Sequence, residues 1–270
     1  MSTDQGKPQV RFATAPDGSR NEDFWQALRT FTPARIALGR SGVSLPTRQA
    51  LDVSLSHAMA RDAIHLPLDV AILENKLSGG GWDHVRATSR ITGRSSYLMR
   101  PDLGRRLDEE SSARLCRAAE SRAVPDIVFV IADGLSPLAV NTYAAGLLDA
   151  VKPLIAAGTK IAPVVIAEQA RVALGDEVAE IFGARLVVML IGERPGLSSR
   201  DSLGAYLTCN AQVGIPDSAR NCVSNIRAEG LPVPAAATKL AWFIRTVLER
   251  GVTGIGLKDE SDSPACLSGF

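Results

Sequence analysis

The sequence predicts an α/β protein: a Rossmann-like parallel sheet with flanking helices, preceded by a mainly helical N-terminal extension. In the second half of the 270-residue chain, short apolar runs rich in β-branched residues alternate with segments of helical periodicity. The first half lacks this alternation and contains glycine-rich and arginine-rich stretches. Strand–helix–strand alternation is typical of a parallel sheet with helices on its faces.

Composition and length indicate a folded protein with either one large domain or one domain plus an appendage. The mass is 28.6 kDa, and 46% of the residues are hydrophobic, which excludes a wholly disordered chain. Residues 1–20 are polar and are expected to form a flexible tail. Residues 21–121 are expected to be helical or irregular, and residues 122–270 to form the α/β domain.

The N-terminal region contains one segment with clear helical spacing. A helix is predicted from Pro46 to about Ala63, because Leu51, Leu55 and Met59 recur every four residues and share one face. The run SGGGW at 78–82 is predicted to be a flexible break.

An arginine-rich segment follows at residues 86–106, in which Gly93 and Pro101 interrupt any continuous helix. Such a loop can hold a phosphate or a carboxylate, or it can be a solvated or subunit-facing loop; the residues alone favour the second interpretation. A helix is predicted next, at residues 109–121.

Three buried strands and three helices are predicted in the second half. Ser136 and Pro137 are typical of a helix start, and Gly158, Gly183 and Gly251 of helix ends. The strands are predicted at 126–133, 161–167 and 185–191, and the helices at 136–157, 171–182 and 234–250.

The carboxyl ends of parallel strands meet at one edge of a sheet, where α/β proteins bind ligands. Asp133, Glu168 and Glu193 each follow a predicted strand, and Glu193 lies in the loop GERPG at 192–196. Each carboxylate can also have a structural role, as a helix cap or an arginine partner. Two glycines and a proline favour a rigid ligand-binding path for GERPG.

Several common functions are disfavoured. The first predicted loop reads DGLSP, so the GxGxxG fingerprint is absent, and neither a Walker A loop nor a GxSxG elbow occurs. The α/β half contains no histidine with which to build a Ser-His-Asp triad; His57, His65 and His84 all precede it. A net charge of +1 predicts no nucleic acid or anionic membrane as partner.

The four cysteines form no CxxC pair and fit no common zinc spacing, so no metal site is predicted. They are expected to be free thiols of a cytosolic protein, since the N-terminus lacks a secretory signal and no apolar run could span a bilayer. Cys222 is interpreted either as a packed, inert thiol or as a ligand contact.

A series of motifs, in one order from residue 32 to about residue 256, resembles the small (light) subunit of ethanolamine ammonia-lyase, an adenosylcobalamin-dependent enzyme. IGERPGL followed by CVSNI is the most specific part of this resemblance. The motifs are TPARIALGR leading to Gly42 (32–42), SYLMRPDLGRRL (96–107), VIADGLS (130–136), IGERPGL (191–197) and CVSNI (222–226).

The resemblance implies a carbon–nitrogen lyase that converts ethanolamine to acetaldehyde and ammonia by a radical rearrangement begun by cobalt–carbon bond homolysis. It implies that a separate large barrel subunit contains the catalytic residues. The small subunit, inactive alone, would cover the cobalamin in a hetero-oligomer used in ethanolamine catabolism. The family's cobalamin contacts correspond to Val172, Glu193 and Cys222, through backbone or side-chain atoms.

The cofactor is expected to be base-on, because the Asp-x-His-x-x-Gly loop that displaces the cofactor's own base in other cobalamin enzymes is absent. Some relatives carry an N-terminal amphipathic helix that addresses the enzyme to a bacterial microcompartment. Residues 1–20 show no such apolar stripe, so a cytoplasmic enzyme is expected.

Two alternatives to this function remain. The chain could be a stand-alone α/β module that binds a nucleotide-like ligand, which predicts binding by the monomer. It could also be a purely structural subunit, in which case substitutions at Val172, Glu193 and Cys222 would be silent.

Overall fold

The computed structural model describes residues 27–32, 34–120 and 122–261. The described residues up to Leu55 form one compact unit, and those from Ser56 onward form a second. The predicted flexible tail at 1–20 lies outside the described residues.

The second unit is built on a mixed sheet of six strands, in the order β1-β3-β2-β4-β5-β6. The first four strands in this order are parallel, and β5 and β6 extend the sheet beyond β4 as antiparallel neighbours. The α/β prediction is confirmed, but the sheet is not parallel throughout. The strands are β1 His84–Thr88, β2 Ile127–Ala132, β3 Val164–Glu168, β4 Leu186–Gly192, β5 Leu203–Cys209 and β6 Asn221–Ile226.

Helices cover both faces of the sheet, and none of those described is long and apolar enough to cross a membrane. The helices are α1 Thr47–His65, α2 Val70–Gly79, α3 Arg94–Met99, α4 Glu109–Glu120, α5 Pro137–Ala139, α6 Ala145–Val151, α7 Leu174–Phe182 and α8 Val233–Arg250.

The core lies on both sides of β2 and β4, whose residues are all buried. Along β2, Phe129 faces a cluster that includes α6 and α8, and Val130 faces a cluster that includes α4 and α7. A strand covered on both faces can be apolar at every position, so these runs were readable from the sequence.

The helix after β2 begins where the sequence predicts. The N–H of Ala139 donates to Ser136 Oγ at 3.4 Å, and Pro137 occupies the first turn. The helix widens into a π-helical segment at Val140–Ala144 before α6. It ends at Val151 rather than near Ala157, because Pro153 lacks an N–H and a 3-10 turn, Lys152–Leu154, replaces the α-helix.

The SGGGW run, predicted to be a flexible break, contains the last two residues of α2 and then an ordered turn at Gly80 and Gly81 that leads into β1. The sequence analysis did not predict β1. Lys152 Nζ donates to the carbonyl oxygens of Gly80 and Gly81 at 2.8 and 3.0 Å, and Trp82 Nε1 donates to Asp149 Oδ1 at 3.0 Å. The sheet therefore starts at His84, well before the first predicted strand.

Helix α1 matches the predicted helix closely. Its apolar face remains exposed, with Leu51, Leu55 and Met59 at 64%, 59% and 36% exposure.

The loops after β2 and β4 approach each other more closely than any side chain allows. The N–H of Leu135 donates to the carbonyl oxygen of Gly192 at 2.9 Å. A Cβ atom at Gly192 would overlap the backbone of Ser136, and one at Gly134 would overlap Gly192. Glycine is required at both positions because backbone atoms cannot rotate away.

We expect Gly192→Ala to lower the free energy of unfolding by about 3 kcal/mol or more, because the added Cβ atom would overlap backbone atoms, which cannot move aside as a flexible side chain can. The matched control is Gly146→Ala in α6, where a Cβ atom would meet nothing within 4 Å. The control should raise stability by roughly 0.5–1 kcal/mol. Urea unfolding followed by tryptophan fluorescence measures both; equal effects would contradict the predicted close approach.

Candidate functional site

Two adjoining cavities form a crevice at the carboxyl edge of the sheet, with volumes of about 350 and 500 Å³. Val172, Arg171 and Tyr206 line both of them, Cys222 lines the smaller and Glu193 lines the larger. The structure thus brings the three candidate cofactor residues to one continuous surface, although they follow or lie in three different strands. We call this surface the carboxyl-edge crevice.

Glu193 connects the ends of three strands. Its Oε1 accepts a hydrogen bond from Ser224 Oγ at 2.5 Å, and its Oε2 accepts from Asn225 N at 3.2 Å and from Ser202 Oγ. A carboxylate offers about four lone-pair sites, so Glu193 keeps capacity for one further donor. Its carboxylate is therefore both a structural tie and a wall of the larger cavity.

Cys222 lies opposite Tyr206 across the β5–β6 pair. Part of the residue is exposed, but burial of its thiol raises the pKa of Cys222 to about 11. Tyr206 lowers this pKa and the negative charge of Glu193 raises it, and both effects are smaller than that of burial. The group is a neutral thiol at neutral pH, so it is not an activated nucleophile.

The loop that carries Val172 is fixed by the buried carboxylate of Asp133. The backbone N–H groups of Gly134, Gln169 and Ala170 donate to it at 2.9, 2.9 and 3.0 Å, and Arg94 Nη1 donates at 3.3 Å. Burial raises the pKa of Asp133 to about 6, against the lowering effect of Arg94 and the three N–H groups. Through these hydrogen bonds, Asp133 links the loop after β2 to the loop after β3.

Tyr97 fixes the same loop from the other side. It is fully buried, and its hydroxyl donates to the carbonyl oxygen of Ala170 at 3.1 Å. The guanidinium groups of Arg94 and Arg171 lie 4.5 and 4.0 Å from its ring centroid, within cation–π range. The motif SYLMRPDLGRRL, for which the residues alone gave no specific role, therefore supports the crevice.

The arginine-rich segment is largely paired inside the chain. Arg106 donates to Glu177 from Nε and Nη2 at 2.9 and 3.2 Å, and Arg94 pairs with Asp133. Arg105 differs, because it is exposed and lines the smaller cavity.

A buried ion pair lies in the wall of the smaller cavity. Arg220 Nη1 and Nη2 donate to Asp176 Oδ1 and Oδ2 at 2.6 and 2.8 Å, and the two side chains are 4% and 1% exposed. Arg220 also contacts Asp217, whose side chain is 84% exposed. The pair fixes the first turn of α7 against the segment that leads into β6.

Other candidates from the sequence lie elsewhere. Glu168, His57, His65 and His84 line neither cavity of the crevice. A larger cavity of about 650 Å³ opens beside His84, at the amino end of β1, away from the loops that carry the candidate residues. No cluster of His, Cys, Asp and Glu suited to a metal ion occurs within the described ranges.

Sequence reasoning missed three contributors to the crevice: Tyr97, Arg171 and Tyr206. Arg171 directly precedes Val172, and Tyr97 lies in the quoted motif at 96–107, so sequence signals existed for these two. Tyr206 lies in β5, which the sequence analysis did not predict, and only the pairing of β5 with β6 places it beside Cys222.

We expect Asp176→Asn to lower the free energy of unfolding by about 3 kcal/mol, because it leaves the buried Arg220 guanidinium with a neutral partner. The matched control is Asp217→Asn, which removes the exposed partner of the same arginine and should cost less than about 1 kcal/mol. Urea unfolding of both variants is the measurement. Similar losses of stability in the two variants would mean that the buried pair between Arg220 and Asp176 is no more stabilising than the exposed contact with Asp217.

The pKa of Asp133 predicts a pH dependence. A folded-state pKa above the ordinary value means that the contribution of this carboxyl to stability is full below about pH 4 and is lost as the pH rises through 6. The stability advantage of the wild type over Asp133→Asn should therefore shrink by roughly 2–3 kcal/mol between pH 4 and pH 7. Unfolding curves of both proteins across this range check it, and a constant or growing difference would contradict the raised pKa.

Comparison with known proteins gives consistent similarities across most of the chain. Residues 22–258 match the family model described as ethanolamine ammonia-lyase light chain (EutC). Two curated proteins named ethanolamine ammonia-lyase small subunit are similar. The one from Azotobacter vinelandii is 50% identical over 89% of this chain and 90% of its own length. The one from Ralstonia nicotianae is 51% identical over 91% and 92%.

Proposed function

The chain belongs to the ethanolamine ammonia-lyase light-chain family, and from this premise we propose that it helps to hold adenosylcobalamin at its interface with a large catalytic subunit. As the small subunit of a lyase, it would contribute binding surface to a hetero-oligomer and no catalytic residue of its own. The observation that carries this proposal is the convergence of Val172, Glu193 and Cys222 on the carboxyl-edge crevice.

The donors and acceptors of the crevice fit the edge of a corrin, which carries amide side chains. The Glu193 carboxylate has capacity for one amide N–H beyond its three present donors. The Tyr206 hydroxyl and backbone groups at Val172 and Cys222 add polar atoms to a wall that also includes Leu135. A cobalamin is larger than either cavity, so this chain would cover only part of it, as expected of an interface site.

When bound, adenosylcobalamin would supply a carbon-centred radical by homolysis of its cobalt–carbon bond. This chain would orient the cofactor and exclude water from one side of it. Cys222 is protonated at neutral pH and Asp133 is engaged by four donors, so neither is poised for proton transfer. The absence of an Asp-x-His-x-x-Gly loop in the sequence supports a base-on cofactor.

The remaining parts of the proposal concern architecture and partners. We regard the four parallel strands as the Rossmann-like element, with residues 122–270 as the main cofactor-contacting domain. We regard residues 21–121, which contribute β1 to this sheet, as a mainly helical contact region for the large subunit. Exposed apolar side chains such as Met99, at 73% exposure, support such a contact. We propose a cytoplasmic enzyme, with neither nucleic acid nor membrane as partner.

The first test is gentle purification of the tagged chain from its own cells grown on ethanolamine. An equimolar larger chain and a cobalamin absorption spectrum in the same peak would support the proposal. A lone monomer that binds a nucleotide by itself would instead favour the stand-alone binding module.

For the cofactor site, we expect Glu193→Gln to weaken cobalamin binding to the assembled enzyme about tenfold, because hydrogen bonds to a charged acceptor are stronger than those to an amide. Glutamine is preferable to alanine, since its amide oxygen can still accept from Ser202 and Asn225 while its amide nitrogen can donate to the Ser224 hydroxyl, which preserves the loop. Titration of the enzyme with cobalamin, followed by absorbance, gives the dissociation constant.

The control for this variant is Glu249→Gln, an exposed carboxylate of α8 outside the crevice. It should leave the dissociation constant unchanged. If the assembled Glu193→Gln enzyme binds cobalamin with wild-type affinity, Glu193 does not contact the cofactor.

A further inference from the structure

The loop between β4 and β5, residues 193–202, contains the part of the motif IGERPGL that the crevice does not account for. Glu193 and Arg194 line the larger cavity of the crevice, whereas Gly196, Leu197 and Arg200 line a separate cavity of about 460 Å³. The helix after β2, the loop after β6 and the second half of α1 form the rest of its wall. We call residues 193–202 the β4–β5 loop.

The backbone of the β4–β5 loop is closed by its own hydrogen bonds. At its base, the N–H of Glu193 donates to the carbonyl oxygen of Ser202 at 2.9 Å. At its tip, the N–H of Gly196 donates to the carbonyl oxygen of Ser199 at 2.9 Å, and the N–H of Ser199 donates to that of Gly196 at 3.4 Å. A loop that is already ordered loses less conformational entropy when a partner binds. The loop therefore presents a preformed surface.

The large exposed side chains of this loop are an apolar residue between two arginines. Leu197, at the tip, is 39% exposed. Arg194 and Arg200 are exposed, and no described residue accepts a hydrogen bond from either guanidinium group or forms an ion pair with it. Ser136 Oγ donates to the carbonyl oxygen of Arg200 at 2.7 Å, which fixes the backbone at this position. Arginine is enriched at protein interfaces and among the residues that contribute most to binding.

The carboxylates near these arginines are held by other groups. Glu193 accepts hydrogen bonds from three donors. Asp201 accepts from the Tyr143 hydroxyl at 2.8 Å. Arg227 lies 3.9 Å from Asp201 and 3.6 Å from Glu229. The charges that the loop offers to a partner are therefore those of its two arginines.

We propose that the β4–β5 loop is a docking element for the large subunit, which would meet Leu197 with an apolar recess and the two arginines with carboxylates. This inference rests on the proposed function. Arg194 lines the larger cavity of the crevice, so a partner that covers a cofactor in the crevice also reaches this loop. The unpaired guanidinium groups favour an acidic partner surface, because charge complementarity speeds association and disfavours partners of like charge.

The test measures the dissociation constant between this chain and its large subunit by sedimentation velocity, with saturating cobalamin present. Leu197→Ser and Arg200→Glu are the informative variants, because both side chains are exposed and neither lines the crevice. We expect each substitution to weaken the complex about tenfold. The loss in Arg200→Glu should shrink as the salt concentration rises, since salt screens charges at an interface rim, whereas the loss in Leu197→Ser should persist.

The matched controls lie near the amino ends of the strands. Ile255→Ser changes a 90% exposed residue beside the start of β6, and Arg250→Glu reverses an exposed charge at the end of α8. Both should keep the wild-type dissociation constant. The affinity for cobalamin should stay within about twofold of the wild type in every variant, at subunit concentrations that keep it assembled, because the two loop positions lie outside the crevice.

The possible outcomes separate this inference from the proposed function. Wild-type dissociation constants in both loop variants, or equal losses in the controls, would overturn the docking element and leave the proposed function intact. If the wild-type chain forms no complex with the large subunit, the proposed function fails and the docking element fails with it. If the loop variants change only the self-association of this chain, the loop binds a second copy and the proposal is wrong.

Discussion

The carboxylate of Asp133 connects the parts of the chain that make the carboxyl-edge crevice. An ionised carboxylate can stay buried only while donors satisfy it, and here three backbone N–H groups and Arg94 do so. Two of the N–H groups belong to Gln169 and Ala170, and the crevice residues Arg171 and Val172 follow directly. The shape of the crevice therefore depends on a carboxylate that does not itself line it.

Support and contact are separate tasks in this site. Tyr97 lines only the larger cavity and mainly supports it, because it is buried and its hydroxyl holds the loop after β3, whereas Tyr206 lines both cavities beside a protonated Cys222. Glu193 combines both tasks, because its carboxylate ties three strands and still faces the larger cavity. Such a crevice offers hydrogen bonds and a fixed shape, which suits binding more than proton transfer.

The central strands and the helices α7 and α8 could be predicted because burial on both faces or one clear apolar stripe marks them in the sequence. The strands β1, β5 and β6 could not: β1 and β6 are edges with exposed positions, and β5 begins with the sequence Leu203-Gly204. These segments form strands because they pair with neighbouring strands, and the periodicity of a single sequence contains no information about that pairing. Glu193 was placed correctly at the sheet edge, whereas the contact between Tyr97 and Ala170 joins residues far apart in the chain and has no local signature.

The strand order has a consequence for how the chain folds as it is synthesised. β1 is the edge strand and pairs with β3, while β2, made between them, takes the place beyond β3. On the ribosome, β1 must therefore wait as an unpaired strand until β2, its crossover helix and β3 have all emerged. Such delayed, non-local pairing slows folding and exposes an open strand edge to other chains. Nascent-chain protection by a chaperone would matter most in this interval, before β3 has emerged.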